Sequence, residues 1–127
     1  MALLLLVGAG RPEAAEPGRV VEIRSYNLKP GTRAGFHRLA EDQAIPLLER
    51  FGIDVVSYGP SLHDEDSYVL IRSFPSLEER QRSEDTFYGS EEWKAGPREA
   101  VLAAIVSYTT VVLRLDEATL RGLREKR

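Results

Sequence analysis

Apolar and polar residues alternate along four short segments of the chain, and this pattern predicts four β-strands. Within each segment, β-branched and aromatic residues recur at about every second position. The predicted strands cover residues 20–28, 53–58, 68–74 and 105–115. Turn residues at 29–31 and 59–60 close the first two strands.

Two segments between these strands carry helical signals instead. The first, residues 32–50, repeats apolar residues at helical spacing, contains Pro46, which predicts a kink or an early break, and is closed by Gly52. The second, residues 76–88, begins with the Ser-x-x-Glu spacing of a capping box. A further short helical start follows at Ser90, and the chain therefore alternates strands and helices within one domain.

Two short segments occur twice in the same order. IRSY at 23–26 is repeated as IRSF at 71–74, and VVSY at 55–58 is repeated as IVSY at 105–108, each about 50 positions later. Equal order and spacing suggest a duplicated βαβ unit. The predicted fold is therefore α+β and ferredoxin-like, a split βαβ with a four-stranded antiparallel sheet and helices on one face.

Strand parity divides the strand residues between two faces. One set consists of aliphatic side chains, and we call it the aliphatic face: Val21, Ile23, Val55, Val69, Ile71, Val111 and Leu113. The other set, the polar–aromatic face, holds the candidates for ligand binding: Glu22, Arg24, Tyr26, Tyr58, Tyr68, Arg72, Tyr108 and Arg114. We expect the helices to cover the aliphatic face and to leave the polar–aromatic face bare.

A bare sheet face with large aromatic side chains is too apolar to remain exposed to water. Two copies that pack these faces together would form a homodimeric α/β barrel. That barrel would either hold a small, partly apolar organic ligand or be filled by the tyrosines, with Glu22 paired to an arginine. The sequence leaves both interpretations open.

The first strand and its turn, residues 21–26 and 28–31, resemble the start of NIPSNAP-family domains. Phe87 with residues 90–93 resembles the Phe…Ser-x-x-Trp segment after the second helix of that family. The likeness covers residues 19–116 and implies a dimeric α/β barrel, a fold shared with cofactor-independent monooxygenases and haem-degrading proteins. The family has no settled catalytic motif, so the resemblance assigns no catalytic residue.

Residues 1–18 differ in composition from the rest of the chain. Residues 1–10 are apolar and small and a turn-rich tether follows them, as in a secretory signal peptide, although no Lys or Arg precedes the apolar run. The predicted parts are a leader and linker at 1–18, the globular domain at 19–116 and a charged tail at 117–127. An exported (periplasmic or secreted) location is favoured over a cytoplasmic one. No run approaches the ~20 apolar residues of a spanning helix, so no integral membrane segment is expected.

Charge and cysteine content exclude several classes of function. The chain has 17 Lys and Arg residues and 20 Asp and Glu residues. The resulting net charge of −3 argues against a nucleic-acid-binding surface. The absence of Cys excludes disulfides, thiolate nucleophiles and cysteine-type zinc sites. Residues 63–66 offer His and carboxylates from one loop, where consecutive side chains rarely converge, so no metal site is predicted.

His37 is the candidate for catalysis, because Glu41 follows four residues later and a carboxylate-oriented imidazole suits general acid–base chemistry. Both residues lie beside the apolar stripe of their helix, which favours a solvent-facing pair. Trp93 is expected to fill the core.

The sequence thus favours a small-ligand-binding or protein-interaction module over an enzyme, with no cofactor. The alternative is a cofactor-independent monooxygenase or isomerase that acts on a small aromatic or enolisable substrate inside the barrel. In that case Arg24, Tyr26 and Arg72 would orient an oxyanion, and His37 would serve as the base. Haem binding would need an inward-facing histidine, and the chain has only 2.

Overall fold

The computed structural model describes residues 18–124, in which four strands form one antiparallel sheet. The strands are β1 Arg19–Leu28, β2 Asp54–Pro60, β3 Ser67–Phe74 and β4 Ile105–Leu115. They lie in the order β2-β3-β1-β4. With helices in both crossovers, this order is the split βαβ plan, and the predicted ferredoxin-like fold is confirmed.

The first crossover is a helix interrupted by a wider turn. It comprises α1 Arg33–Leu39, a π-helical turn Ala40–Ala44 and α2 Ile45–Arg50. Pro46 lies in the first turn of α2, where its missing N–H costs least, and the π-helical turn just before it is the irregularity that Pro46 predicted.

The second crossover contains three helices, and a fourth follows the last strand. These are α3 Leu77–Tyr88, α4 Glu91–Ala95, α5 Arg98–Ala104 and α6 Glu117–Leu123. The Ser76 hydroxyl accepts a hydrogen bond from Glu79 N at 3.1 Å, and the Ser90 hydroxyl accepts one from Trp93 N at 3.2 Å. Both predicted helix starts are therefore confirmed, whereas α5 was not predicted.

The first repeat lies on the neighbouring strands β1 and β3, and the second lies on β2 and β4, the two edges of the sheet. Ile23 lies opposite Ile71, and Tyr26 lies between Tyr68 on β3 and Tyr108 on β4. The register of β2 against β3 shifts between Val55 and Ser57, where the strand bulges.

The predicted coverage of the sheet is wrong, because the helices pack on the polar–aromatic face. Tyr26 and Tyr68 are buried in the main core together with helix residues such as Phe36, Phe87 and Trp93. The bulge also places Val55 in this core and Val56 on the opposite side. The prediction failed because it weighed only the strands, whereas the inward sides of the helices carry aromatic and charged groups that match the tyrosines and arginines.

The aliphatic face is the open one, and only part of it is covered. Leu120 of α6 packs on Val21 and Val56, and Ile23 and Ile71 lie half-buried beside them. The charged tail, in which only Leu120 and Leu123 could anchor a marginal helix, thus forms a helix whose apolar side lies on the sheet. Further along β4, on the same face, Val111 and Leu113 are exposed, as is Tyr108 at the margin of the other face.

The predicted leader at 1–18 lies almost entirely outside the described residues. Within 18–124, no helix has the length and apolar character needed to cross a membrane.

Candidate functional site

A buried ion pair lies between the sheet and α3. Glu22 of β1 and Arg72 of β3 are opposite each other in the register, and both side chains are fully enclosed. Arg72 donates from Nε to Glu22 Oε2 at 3.2 Å and from Nη2 to the same oxygen. A buried pair of this kind is stable only when further hydrogen bonds satisfy both groups.

Helix α3 supplies those further groups from one side. Arg80, Glu84 and Tyr88 are spaced four residues apart, so they form one row along the helix. Arg80 Nε donates to Glu22 Oε1 at 2.8 Å, and Arg72 Nη1 donates to the Tyr88 hydroxyl at 2.9 Å. Glu84 Oε2 lies 3.3 Å from Arg72 Nη2.

Arg24 closes the cluster on the side of β4. Its Nη2 lies 3.4 Å from Glu22 Oε2, and its Nε donates to the Thr110 hydroxyl at 3.1 Å. The guanidinium also stacks over the Tyr108 ring, 4.8 Å from the ring centroid. We call the three arginines and two carboxyls the arginine cage: Arg24, Arg72, Arg80, Glu22 and Glu84.

The cage drives the pKa values of its two carboxyls apart. Burial alone would raise the pKa of Glu22, but a hydrogen bond with Glu84 and the charge of Arg72 outweigh burial and lower that pKa to about 2. Burial and the same hydrogen bond raise the pKa of Glu84 to about 7. Glu22 is therefore the ionised member of the pair near neutral pH, and Glu84 holds the proton they share.

An apolar cavity lies beside the cage. It has a volume of ≈ 50 Å³, room for only a small apolar group. Its wall includes Tyr26, Leu70, Phe87, Tyr88 and Trp93. Tyr88 is shared by the cavity and the cage, because its ring lines the cavity while its hydroxyl accepts the hydrogen bond from Arg72. Burial raises the pKa of Tyr26 to about 12, so its hydroxyl keeps its proton.

A second polar cluster lies where α1 meets β3. His37 Nδ1 and the Tyr68 hydroxyl are 2.6 Å apart, and His37 Nε2 lies 3.6 Å from Glu41 Oε1. The Tyr58 hydroxyl donates weakly to Glu41 Oε2 at 3.4 Å. An open recess of ≈ 440 Å³ adjoins His37 and Glu41, and burial raises the pKa of Tyr68. His37 is thus not the purely solvent-facing residue that its spacing favoured.

The structure divides the predicted candidates among four places. Glu22, Arg24, Tyr26 and Arg72 meet at the cage and its cavity. Tyr58 and Tyr68 join His37 in the second cluster. Tyr108 stands at the open margin of β4, and Arg114 lines a separate small groove with Val20 and Leu77.

Sequence reasoning missed the contribution of α3. Arg80, Glu84 and Tyr88 lie in a strongly charged segment, which is typical of a solvated helix. The signal available was their spacing of four, which places them in one row after the Ser76 cap.

The loop at 63–66 is organised as a turn. Asp64 accepts hydrogen bonds from Asp66 N at 2.8 Å and from the Ser67 hydroxyl at 2.9 Å. Among the residues that the structure describes, no group of three or more His, Cys, Asp or Glu side chains is placed to hold a metal ion.

The sheet order and its crossovers place the protein among the ferredoxin-like α+β domains. The family model for NIPSNAP matches residues 21–117. The chain belongs to the NIPSNAP family, as the resemblance of its first strand predicted. A search of curated proteins found no match.

Solved structures share the fold at low sequence identity. A NIPSNAP-like domain protein from Burkholderia xenovorans is 19% identical, with a TM-score of 0.72 over 80% of this chain and 89% of that chain. A NIPSNAP family protein from Agrobacterium tumefaciens is 16% identical, with a TM-score of 0.72 over 80% of this chain and 90% of that chain. A putative antibiotic biosynthesis monooxygenase from Caulobacter crescentus is 17% identical, with a TM-score of 0.61 over 80% of this chain and 92% of that chain.

Proposed function

We propose that this NIPSNAP domain is a homodimeric module that binds a small organic ligand within each protomer, between the sheet and α3. The observation that carries the proposal is the arginine cage next to an apolar cavity. Buried ion pairs such as Glu22 and Arg72 often stabilise a fold no better than well-packed apolar residues do, so stability is a weak reason for the cage. An apolar pocket with a few convergent polar groups is the usual form of a small-molecule site.

The size of the cavity favours binding over catalysis on a large substrate. Pockets for drug-sized ligands measure roughly 300 Å³ or more. The enclosed cavity of ≈ 50 Å³ accepts only the apolar end of a ligand. The polar end would lie toward solvent, where the Arg80 and Glu84 side chains are partly exposed.

The dimer would form through the aliphatic face, not through the polar–aromatic face. Helix α6 covers only the part around Val21 and Val56, and Val111 and Leu113 remain exposed on β4. β4 is also an edge strand, and an edge with exposed apolar side chains invites pairing or coverage. Two copies related by a twofold axis can cover the same apolar patch on each other.

The test of ligand binding is native mass spectrometry of protein purified from its own host, compared with the denatured mass. We expect a dimer with an additional non-covalent mass. Arg24→Ala should lose that mass, because it removes one guanidinium of the cage, whereas Arg98→Ala, which changes an exposed arginine on α5, should keep it. Wild-type protein without added mass would refute the proposal, and a folded Arg24→Ala variant with full occupancy would refute the role of Arg24.

A cofactor-independent monooxygenase or isomerase is the second candidate, and the His37 cluster is the observation that favours it. Glu41, His37 and Tyr68 form a carboxylate–imidazole–phenol series beside an open recess. Such a series suits proton abstraction from a small aromatic or enolisable substrate. The Caulobacter structure described above carries a monooxygenase name, which adds a reason for testing this chemistry.

The enzymatic alternative predicts turnover that depends on His37. With a panel of small phenols and enolisable ketones, oxygen uptake or proton exchange should be lost in His37→Gln and kept in Arg98→Ala. Turnover that is equal in both variants would exclude His37 as the base.

A further inference from the structure

One carboxyl oxygen of Glu84 receives no hydrogen bond from the arginines of the cage. Its Oε2 atom is buried, and no donor in the described part of the chain makes a hydrogen bond to it. The nearest guanidinium nitrogens are Arg72 Nη2 at 3.3 Å and Arg80 Nε at 3.7 Å. Glu22, by contrast, accepts hydrogen bonds from both of these arginines.

We propose that Glu84 occupies the place of a ligand carboxylate, and that a small monocarboxylate binds by displacing it. In the complex, the carboxylate of the ligand contacts Arg72 and Arg80, and its apolar end enters the cavity. This inference rests on the proposed ligand-binding function and names the chemical class of the ligand.

Glu84 lies on the side of the cage from which a ligand would enter. The Glu84 side chain is 14% exposed and that of Arg80 is 19% exposed, so both form the solvent side of the cage. Rotation of Glu84 outward opens the space in front of Arg72. Tyr88, one turn further along α3, then connects that space to the cavity.

Charge balance favours an anion of one unit. The cage contains three guanidinium groups and two carboxyls, and Glu22 is already paired with all three arginines. A ligand carboxyl in the position of Glu84 meets the same neighbours, so it can take over the proton shared with Glu22 and keep this balance. Arginine binds carboxylates through paired hydrogen bonds, and Arg72 Nη2 faces Glu84 without donating a hydrogen bond to it.

The volume of the cavity limits the apolar end of the ligand. A space of ≈ 50 Å³ suits a short alkyl chain and excludes a bicyclic ring system. Short-chain monocarboxylates such as butyrate are therefore the probes to use, and butan-1-ol is the matched neutral control.

The experiment is titration calorimetry with dialysed full-length protein, butyrate and butan-1-ol at pH 7. Wild-type protein should bind butyrate and should not bind the alcohol. Glu84→Ala should bind butyrate at least tenfold more tightly than wild type, because no side chain has to be displaced. Glu78→Ala, which removes an exposed carboxylate from the same helix, should behave as wild type.

Two results would overturn the inference. They are the absence of saturable butyrate binding to wild type, and equal affinities in Glu84→Ala and wild type. The second comparison does not require the two proteins to be equally stable. If butyrate fails to bind while native mass spectrometry finds a neutral ligand, the ligand-binding function stands and the carboxylate inference falls.

Discussion

At the scale of single residues, the distinctive feature is a pair of carboxyls that share a proton among arginines. Glu22 is the more deeply buried carboxyl, with 0% of its side chain exposed against 14% for Glu84. Nevertheless Glu22 ionises more readily, because it accepts hydrogen bonds from Arg72 and Arg80, whereas the buried Oε2 of Glu84 accepts none. Hydrogen bonding to the charged form therefore decides which carboxyl ionises. The sequence identified Glu22 and Arg72 by strand parity, but Glu84 is recognisable only once α3 is placed against the sheet.

The two carboxyls predict an acidic optimum of stability. Glu22 ionises more readily in the folded protein than in the unfolded one. Its contribution to the free energy of unfolding therefore rises from pH 2 to about pH 4.5. Glu84 holds its proton more tightly in the folded protein than in the unfolded one. Its contribution to the free energy of unfolding therefore falls by about 3 kcal/mol between about pH 4.5 and pH 7. Denaturant unfolding of the ligand-free protein at fixed protomer concentration should show this fall.

Glu84→Gln is the control for that fall, because Gln resembles the protonated acid at every pH. The variant should keep a constant free energy of unfolding between pH 5 and pH 7. An equal decline in the variant and in wild type would show that another group is responsible.

At the scale of secondary-structure elements, the strands and the helix starts were predictable and the packing was not. Alternation and turn residues define β1 to β4, and the side-chain caps at Ser76 and Ser90 define the starts of α3 and α4. Strand parity separated the two faces, yet both faces contain enough apolar area to be covered. Which face the helices take depends on partners such as Phe87 and Trp93, which no single strand pattern contains.

Helix α6 has few apolar residues, and one buried leucine and one ion pair attach it to the sheet. Leu120 is 1% exposed, and Arg124 forms two hydrogen bonds to Asp54, at 2.9 and 2.8 Å. Leu120→Ala should lower the free energy of unfolding by about 3 kcal/mol, because it leaves a cavity above Val21 and Val56. Leu102→Ala, at a 47% exposed position on α5, should change it by less than about 0.5 kcal/mol in chemical denaturation. Equal losses would mean that α6 does not stabilise the domain.

At the scale of the whole molecule, we propose that the aliphatic face forms the dimer. The sequence predicted a homodimer through the opposite face, and the position of the helices moves the proposed interface to β4 and its neighbours. Val111→Asp places a charge in the middle of that face, opposite Ile23, and should convert the dimer to a monomer in sedimentation experiments.

Leu62 provides the matched control for this substitution. It is fully exposed in the loop between β2 and β3, away from the proposed interface, so Leu62→Asp should leave the dimer intact. A Val111→Asp protein that remains dimeric would place the interface elsewhere.

The most direct test of the account is the ligand content of the Val111→Asp monomer, measured by native mass spectrometry after purification from the protein's own host. If the ligand binds between the sheet and α3, the monomer keeps one ligand per chain, as each protomer of the wild-type dimer does. If the ligand instead lies between two sheets, it is lost when the dimer separates. Loss of the ligand from a folded monomer, or absence of ligand from both proteins, would contradict the account.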